Sequence, residues 1–244
     1  MQAKYVELFV ACHWTRVRFP PPPPTLSSTQ QRLVTQGVIF LYGASTPGVR
    51  GISQRTISRE EIADLPVRRY EGSVLLVATP ADRVSAMADI RQERIAGFDT
   101  ETRPAFIRGQ SYLPCLAQVA TARSVYLFRL ENSDFSAELI ELLQSAKLTK
   151  AGVAIADDLR QLKLLFPFEE QCVVDPGWIA GRHGYGQTGL RNLAAIFLGF
   201  RIPKGNRTSN WAAQRLNAAQ ITYAATDAWA CRELYLRFEA LGLI

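Results

Sequence analysis

Two acidic residues one position apart, Asp99 and Glu101, give the first indication of chemistry in this sequence. The stretch RIAGFDTETRP (94–104) begins apolar and compact, as a buried β-strand does, and ends at Arg103-Pro104. Residues i and i+2 of a strand point to the same face, so the two carboxylates should lie side by side. Carboxylates that close repel each other, and one stays protonated unless a cation lies between them. The pattern therefore raises the question of which cation they hold.

A second pair of acidic residues, Asp157 and Asp158, lies in KAGVAIADDLRQL (150–162). An apolar run predicts a strand over 149–156, and a helix is predicted over 158–166. Acidic residues at a helix N-terminus cap free N–H groups and interact favourably with the helix dipole. One of the two aspartates is expected to be this cap, which leaves the other available to face elsewhere.

The third stretch, ITYAATDAWACRELY (221–235), carries Tyr223 and Asp227 four residues apart on one face of a predicted helix. A half-buried tyrosine and an aspartate paired with a neighbouring arginine would explain them without any chemistry. However, Asp227 is surrounded by small residues that favour close packing, where an acid is costly unless it is satisfied: Ala224, Ala225, Ala228 and Ala230.

Taken together, these stretches have a common chemical logic. Carboxylates that converge from separate elements form sites for hard divalent cations, which prefer oxygen ligands. Two such ions about 4 Å apart can stabilise both the attacking and the leaving oxygen of a phosphoryl displacement. A nearby tyrosine hydroxyl can orient the attacking water and assist its deprotonation.

The elements that must position these residues alternate between strands and helices, which is typical of an α/β fold. Strands are predicted over 73–78, 94–101, 115–121, 124–130 and 149–156, and the third and fourth should form an antiparallel hairpin. Helices are predicted from Thr79-Pro80 to about Gln92, over 136–146, 158–166, 176–182 and 189–198, and from Asn217 to about Leu241.

Composition sets broad limits on the 244 residues. The length suits one α/β domain with additional sequence at one end. Residues 1–50 contain five consecutive prolines (20–24) and a Ser/Thr/Gln stretch, which predict a poorly ordered extension. We expect a connecting segment over 51–69 and a domain over 70–244 to follow this extension. The formal net charge of +6 permits a polyanionic partner without requiring one.

The four cysteines are scattered, without metal-site spacing, which favours reduced thiols and a cytoplasmic protein. No apolar run approaches the ~20 residues of a membrane span, so no membrane association is expected.

The three motifs, in order, resemble those of the DEDD superfamily of 3′-5′ exonucleases. Asp99-x-Glu101, Asp158 after GVAIA, and Tyr223-x-x-x-Asp227 match its tyrosine branch, which includes ribonuclease D and the Werner-type exonuclease domain. The histidine branch is excluded because Thr222 occupies the position of its histidine. The resemblance covers residues ~70 to 242 and implies a ribonuclease-H-like fold, a mixed β-sheet flanked by α-helices.

The resemblance also implies a role for each motif residue. Asp99 would bridge two Mg²⁺ or Mn²⁺ ions, while Glu101 and Asp227 would complete the site of the nucleophilic water. Asp158 would support the second ion, largely through water, and Asp157 would then be the helix cap. Tyr223 would position the nucleophile.

Basic residues near the motifs are expected to contact the phosphates of a nucleic acid without reading its sequence. They are Arg103, Arg108, Arg160, Arg191, Lys204 and Arg207. Phe106 or Tyr112 can stack on a terminal base, although each suits a core position equally well.

We therefore expect a metal-dependent 3′-5′ exonuclease that hydrolyses phosphodiester bonds of DNA or RNA from the 3′ end and releases nucleoside 5′-monophosphates. Its partner would be single-stranded or 3′-ended nucleic acid, and targeting would come from a further protein. Two alternatives remain: a catalytically silent nucleic-acid-binding or scaffold module on the same fold, and a hydrolase of small phosphoesters.

Overall fold

The helices and strands of this protein follow the predicted alternation. The computed structural model describes residues 55–107, 109–130, 135–205 and 208–244. In chain order the elements are α1 (Arg59–Asp64), β1 (Ser73–Val77), α2 (Pro80–Ile90), β2 (Ile95–Thr102), β3 (Pro114–Ala120), β4 (Ser124–Arg129), α3 (Ser136–Gln144), β5 (Thr149–Ala151), α4 (Ile155–Leu162), β6 (Val173–Val174), α5 (Pro176–Arg182), α6 (Leu190–Leu193), a π-helical turn (Ala194–Leu198) and α7 (Ala218–Ala240).

The strands form one mixed sheet in the order β1-β4-β3-β2-β5-β6. β2, β3 and β4 pair in antiparallel fashion, whereas β1, β5 and β6 pair in parallel with their neighbours. The predicted hairpin of β3 and β4 is therefore confirmed. So is the α/β class, a mixed sheet flanked by helices.

Two apolar cores lie on opposite faces of the sheet. Phe98 and Phe128 share one core with buried residues of α2, α3 and α4, among them Met87, Leu142 and Leu159. On the other face, Leu116, Ala120 and Leu127 pack with Trp211 and with the alanines of α7. Because side chains alternate along β2, Gly97 and Asp99 share the face that α7 covers, and Phe98 faces the other core.

Gly97 lets α7 approach β2 more closely than a larger residue would. A Cβ atom at this position would lie 1.9 Å from the carbonyl oxygen of Ala228. The contact brings the motif residues of β2 next to those of α7. The start of α7 is fixed by Asn217, whose side chain accepts a hydrogen bond from the N–H of Gln220 in a capping box.

The strand predicted over 149–156 is wrong beyond Ala151. β5 ends there, and Gly152 begins a turn in which Ala154 takes a left-handed conformation with φ of 60°. Helix α4 then starts at Ile155 rather than at Asp158. Residues 152–156 therefore form a turn and the first residues of α4. An apolar run is compatible with a buried strand and with a buried turn that leads into a helix, so it could not distinguish the two.

The proposed extension over residues 1–50 lies outside the described residues, and the division into domains stays a prediction. The connecting segment over 51–69 is described from residue 55 and contains α1. Cys115, Cys172 and Cys231, the cysteines within the described ranges, form no disulfide. Within the same ranges, no helix combines the length and apolar character needed to cross a membrane.

Candidate active site

Three carboxylates meet where β2 and α7 are in contact. Asp99, Glu101 and Asp227 each offer an oxygen atom, and these oxygens all lie within 4.8 Å of one another. Asp99 is half-buried, while Glu101 and Asp227 are buried. We refer to these three residues as the acidic cluster. The alternation along β2 and the close approach at Gly97 together produce it.

Asp99 is electrostatically perturbed by its burial and its acidic neighbours. Burial is the largest cause that raises its pKa well above the ordinary value, followed by the charges of Asp158, Glu101 and Asp227. Several carboxylates therefore compete to remain ionised within a small volume. A bound cation would relieve this competition.

Asp158 lies outside the acidic cluster but acts on it through its charge. Its carboxylate accepts a hydrogen bond of 2.5 Å from the hydroxyl of Thr100, which lies between Asp99 and Glu101 on β2. Burial raises the pKa of Asp158 to about 6. The hydrogen bond from Thr100 acts to lower this pKa, whereas the charges of Asp157 and Asp175 raise it further. α4 thus brings a fourth carboxylate to the same end of β2.

Asp227 and Tyr223 are coupled across one turn of α7. Burial is the main cause that raises the pKa of Tyr223, followed by the charges of Asp227 and Glu101. Burial also raises the pKa of Asp227 to about 7, although the nearby Tyr223 hydroxyl and the charge of Arg191 lower it. The ring of Tyr223 lies 6.0 Å from that of the buried Trp211. This packing restrains the ring of Tyr223.

The donor set of the acidic cluster suits a divalent metal ion. All its candidate ligand atoms are carboxylate oxygens, which hard cations such as Mg²⁺ and Mn²⁺ prefer. The mutual repulsion that raises the pKa of Asp99 is what a bound cation would offset. Asp99, Glu101 and Asp227 can therefore hold a metal ion, and the charge of Asp158 acts on the same site.

The predicted role of Asp157 as a helix cap is wrong. The N-cap of α4 is Ala154, without a capping side chain, and Asp157 lies in the first turn of the helix. Asp157 instead forms an ion pair with Arg160. The N–H of Ala154 donates to Asp175, the N-cap residue of α5, at 3.0 Å. Asp175 is a residue that sequence reasoning missed, and Asp-Pro before a helix was the signal for it.

The basic residues predicted near the motifs occupy different surroundings. The guanidinium of Arg103 lies over the ring of Tyr112, 4.5 Å from its centroid. Nε of Arg191 donates to the carbonyl oxygen of Ile202 at 3.2 Å, which holds its charge close to Asp227. Lys204 lines a cavity beside Tyr223, while Arg108 and Arg207 lie outside the described residues.

Comparison with known protein families gives one match that spans most of the chain. A family model described as 3′-5′ exonuclease matches residues 77–241. These residues include the acidic cluster, Asp158 and Tyr223.

Individual relatives agree with this match. Ribonuclease D of Gluconacetobacter diazotrophicus is 33% identical over 165 residues, which cover 66% of this chain and 41% of that protein. The bifunctional 3′-5′ exonuclease/ATP-dependent helicase WRN of mouse is 29% identical over 189 residues, or 73% of this chain and 14% of that protein. The aligned part of this chain thus spans about two fifths of the length of the ribonuclease D relatives, among them one from Acidiphilium cryptum at 43%.

Solved structures share the fold. The EXO domain of Aedes aegypti Nibbler has a TM-score of 0.63 and 22% identity, covering 71% of this chain and 91% of that domain. Escherichia coli RNase D has a TM-score of 0.61 and 23% identity, covering 70% of this chain and 47% of that one. The ribonuclease-H-like architecture is therefore confirmed.

Proposed function

Because this chain belongs to the 3′-5′ exonuclease family, we propose that it removes nucleotides from the 3′ end of a nucleic acid strand. The reaction would hydrolyse phosphodiester bonds and release nucleoside 5′-monophosphates. It would depend on Mg²⁺ or Mn²⁺, two ions per site.

One observation supports this proposal most strongly. Asp99, Glu101 and Asp227 direct three carboxylate oxygens to within 4.8 Å of one another, and Tyr223 lies one turn of α7 from Asp227. A silent binding module has no need of carboxylates that repel each other in a half-buried site. Nothing in the described structure favours that alternative.

The proposed mechanism assigns each residue a separate task. Bound divalent cations would supply the positive charge that stabilises the attacking and leaving oxygens. Asp99 would contact both cations, while Glu101 and Asp227 would complete the position on the side of the attacking water. Asp158, held by Thr100, would support the second position.

Tyr223 is proposed to orient the attacking water. Its raised pKa keeps the hydroxyl protonated at neutral pH, so it would act as a fixed hydrogen-bonding group rather than as a base. Its packing against Trp211 restrains the ring that carries this oxygen. The proton released by the water would pass to solvent, and the leaving 3′ oxygen would take up a proton from solvent.

The substrate strand would be positioned through its phosphates. Arg103, Arg191 and Lys204 are proposed contacts among the described residues, and Arg191 is already held beside the acidic cluster. Arg160 pairs with Asp157 and would have to exchange that partner for a phosphate. Contacts by Arg108 and Arg207, a cytoplasmic location and a targeting protein stay predictions.

Strand-specific labelling tests the proposal. A single strand labelled at its 5′ end should yield a ladder that shortens stepwise, whereas a 3′ label should appear at once in mononucleotides. Both reactions should require Mg²⁺ or Mn²⁺ and stop in EDTA. A strand with a blocked 3′ end should resist degradation. Efficient cleavage of closed single-stranded circles would contradict the proposal, because it would identify an endonuclease.

A further inference from the structure

A cavity of about 320 Å³ lies beside Tyr223. We call it the side pocket. Its walls include Ile202 and Pro203 from the segment before α7, and Ala219, Thr222 and Tyr223 from α7 itself. The volume is at the lower end of the ~300–1,000 Å³ range of ligand pockets, which suits one small unit rather than a duplex.

Two basic side chains line the side pocket. Arg69 and Lys204 both contribute to its walls, and no described residue among its walls is acidic. The remaining walls are mainly apolar, from Ile202, Pro203 and the alanines at the start of α7. An apolar surface flanked by cations suits a ligand with one flat apolar part and one anionic part. A nucleotide has these two parts in its base and its phosphate.

The position of Arg69 depends on an anchored stretch of backbone. Val67 forms a parallel bridge with Arg201, in which the N–H of Arg68 donates to the Arg201 carbonyl at 3.1 Å. On the other side of Arg69, the N–H of Tyr70 donates to the hydroxyl of Thr226 at 3.0 Å. Arg69 is therefore held between two fixed neighbours and lies against α7. It precedes residues 77–241, which match the exonuclease family, so the chain adds this residue from outside that region.

We propose that the side pocket binds one unpaired nucleotide of the substrate strand, with Arg69 and Lys204 contacting its phosphate. The inference rests on the proposed function and adds a subsite to it. Tyr223 connects the two sites, since it lines the side pocket and lies one turn of α7 from Asp227. A nucleotide held there would adjoin the bond to be cut. A duplex would have to release that nucleotide from pairing, so single strands should be preferred.

Binding of a cleavage-resistant strand tests the proposal. The probe is a fluorescent single-stranded oligonucleotide whose 3′-terminal linkages are phosphorothioates, titrated by anisotropy at several salt concentrations in Mg²⁺. Arg69→Ala should weaken binding about 10-fold, the effect of losing one charge-assisted hydrogen bond. It should also reduce the slope of log Kd against log salt by about 0.7, the value for one phosphate contact on a single strand.

Two further variants separate the side pocket from general electrostatics. Arg68→Ala removes the same charge from the neighbouring residue, which does not line the pocket, and should leave affinity and slope unchanged. Ala219→Trp should fill the cavity and weaken binding while it retains every charge, so the slope should stay at the wild-type value. Hydrolysis of bis(p-nitrophenyl) phosphate, a small phosphodiester without a nucleoside, should be the same in Arg68→Ala as in the wild type.

Two results would overturn the side pocket as a nucleotide site. One is equal affinity and slope for Arg69→Ala and Arg68→Ala, and the other is wild-type affinity for Ala219→Trp. A wild-type protein that binds the probe in the predicted pattern but does not shorten an unprotected strand would instead contradict the proposed function. The two failures are therefore distinguishable.

Discussion

Asp89 and Asp99 are both shielded from solvent, but their pKa values are shifted in opposite directions. Burial favours a raised pKa at Asp89, but hydrogen bonds from Thr121, Arg123 and Tyr126 outweigh it, and its pKa is lowered. The hydroxyls of Thr121 and Tyr126 lie 2.8 and 3.0 Å from one of its carboxylate oxygens. At Asp99 burial acts in the same direction, and like charges add to it.

The difference separates a carboxylate that stabilises the fold from one that is held for chemistry. Asp89 on α2 connects the helix to the β3–β4 hairpin through side chains of the protein itself. Asp99 is surrounded by other acids, and a bound cation would offset their repulsion. Strongly perturbed groups of this kind are concentrated at functional sites.

The largest effect is expected for Asp99→Ala. Exonuclease activity should fall to background because the residue proposed to contact both cations is lost. The fold should persist, since the substitution removes repulsion from a half-buried position. Release of mononucleotides and a thermal melt, measured on one preparation, check both expectations. Undiminished cleavage by the variant would contradict the role of the acidic cluster.

Tyr223→Phe should lower kcat by about 10²- to 10⁴-fold, the usual contribution of a proton-transfer or orienting group. The ring and its packing against Trp211 remain, so stability should change little. The Mg²⁺ concentration for half-maximal rate should also stay near the wild-type value, because the tyrosine is not a proposed ligand. Asp227→Asn is the matched variant and should weaken the metal dependence as well as the rate. Full activity of Tyr223→Phe at saturating Mg²⁺ would reduce the tyrosine to a packing role.

Asp89→Asn should lower stability and leave activity unchanged, the reverse of what is expected for Asp99→Ala. Loss of the charge weakens the hydrogen bonds from three residues, including the ion pair with Arg123, so the free energy of unfolding should fall by about 1–3 kcal/mol. The specific activity of the folded protein should stay unchanged. Denaturant melts and activity per folded molecule provide the measurement. A loss of kcat without a loss of stability would undermine the contrast with Asp99.

The smallest change is expected in the pH dependence of the metal-free protein. Asp158 and Asp227 have pKa values of about 6 and about 7 in the folded state, above the ordinary 3.8. Between about pH 4 and pH 7 the folded state holds protons that the unfolded state has released, so stability should decrease as the pH rises through this window. The melting temperature in EDTA should therefore fall between about pH 4 and pH 7.

Two controls belong to that measurement. Asp227→Asn should flatten part of the decline, because it removes one titrating group and one like charge. Mg²⁺ should raise the melting temperature more at the upper end of the range, where the carboxylates are ionised. A melting temperature in EDTA that stays level or rises over this range would contradict the repulsion ascribed to the acidic cluster.

The sequence predicted the acidic cluster well because local periodicity determines which side chains share a face. Asp99 and Glu101 follow the two-residue period of a strand, and Tyr223 and Asp227 the near-four-residue period of a helix. The Asp89 site was not anticipated. Its partners lie on a hairpin more than 30 positions away, and no local pattern connects Asp89 with Thr121 or Tyr126.

The errors and omissions also have physical causes. The apolar run 149–156 predicted a strand, but Ala154 adopts a left-handed conformation, which alanine rarely does and which composition cannot indicate. Because of this turn, α4 starts at Ile155, and Asp157 forms an ion pair with Arg160 instead of capping the helix. Arg69 was missed because a bridge to Arg201, far along the chain, sets its position.

Direct titration with Mn²⁺ tests the central claim that the acidic cluster is a metal site. Electron paramagnetic resonance of free Mn²⁺ would be recorded for the wild-type protein, Asp99→Asn and Asp89→Asn, without nucleic acid. We predict saturable binding by the wild type, a binding isotherm for Asp89→Asn that overlays it, and loss of binding in Asp99→Asn. Equal binding by the wild type and Asp99→Asn would contradict the account, because the metal would then be held elsewhere.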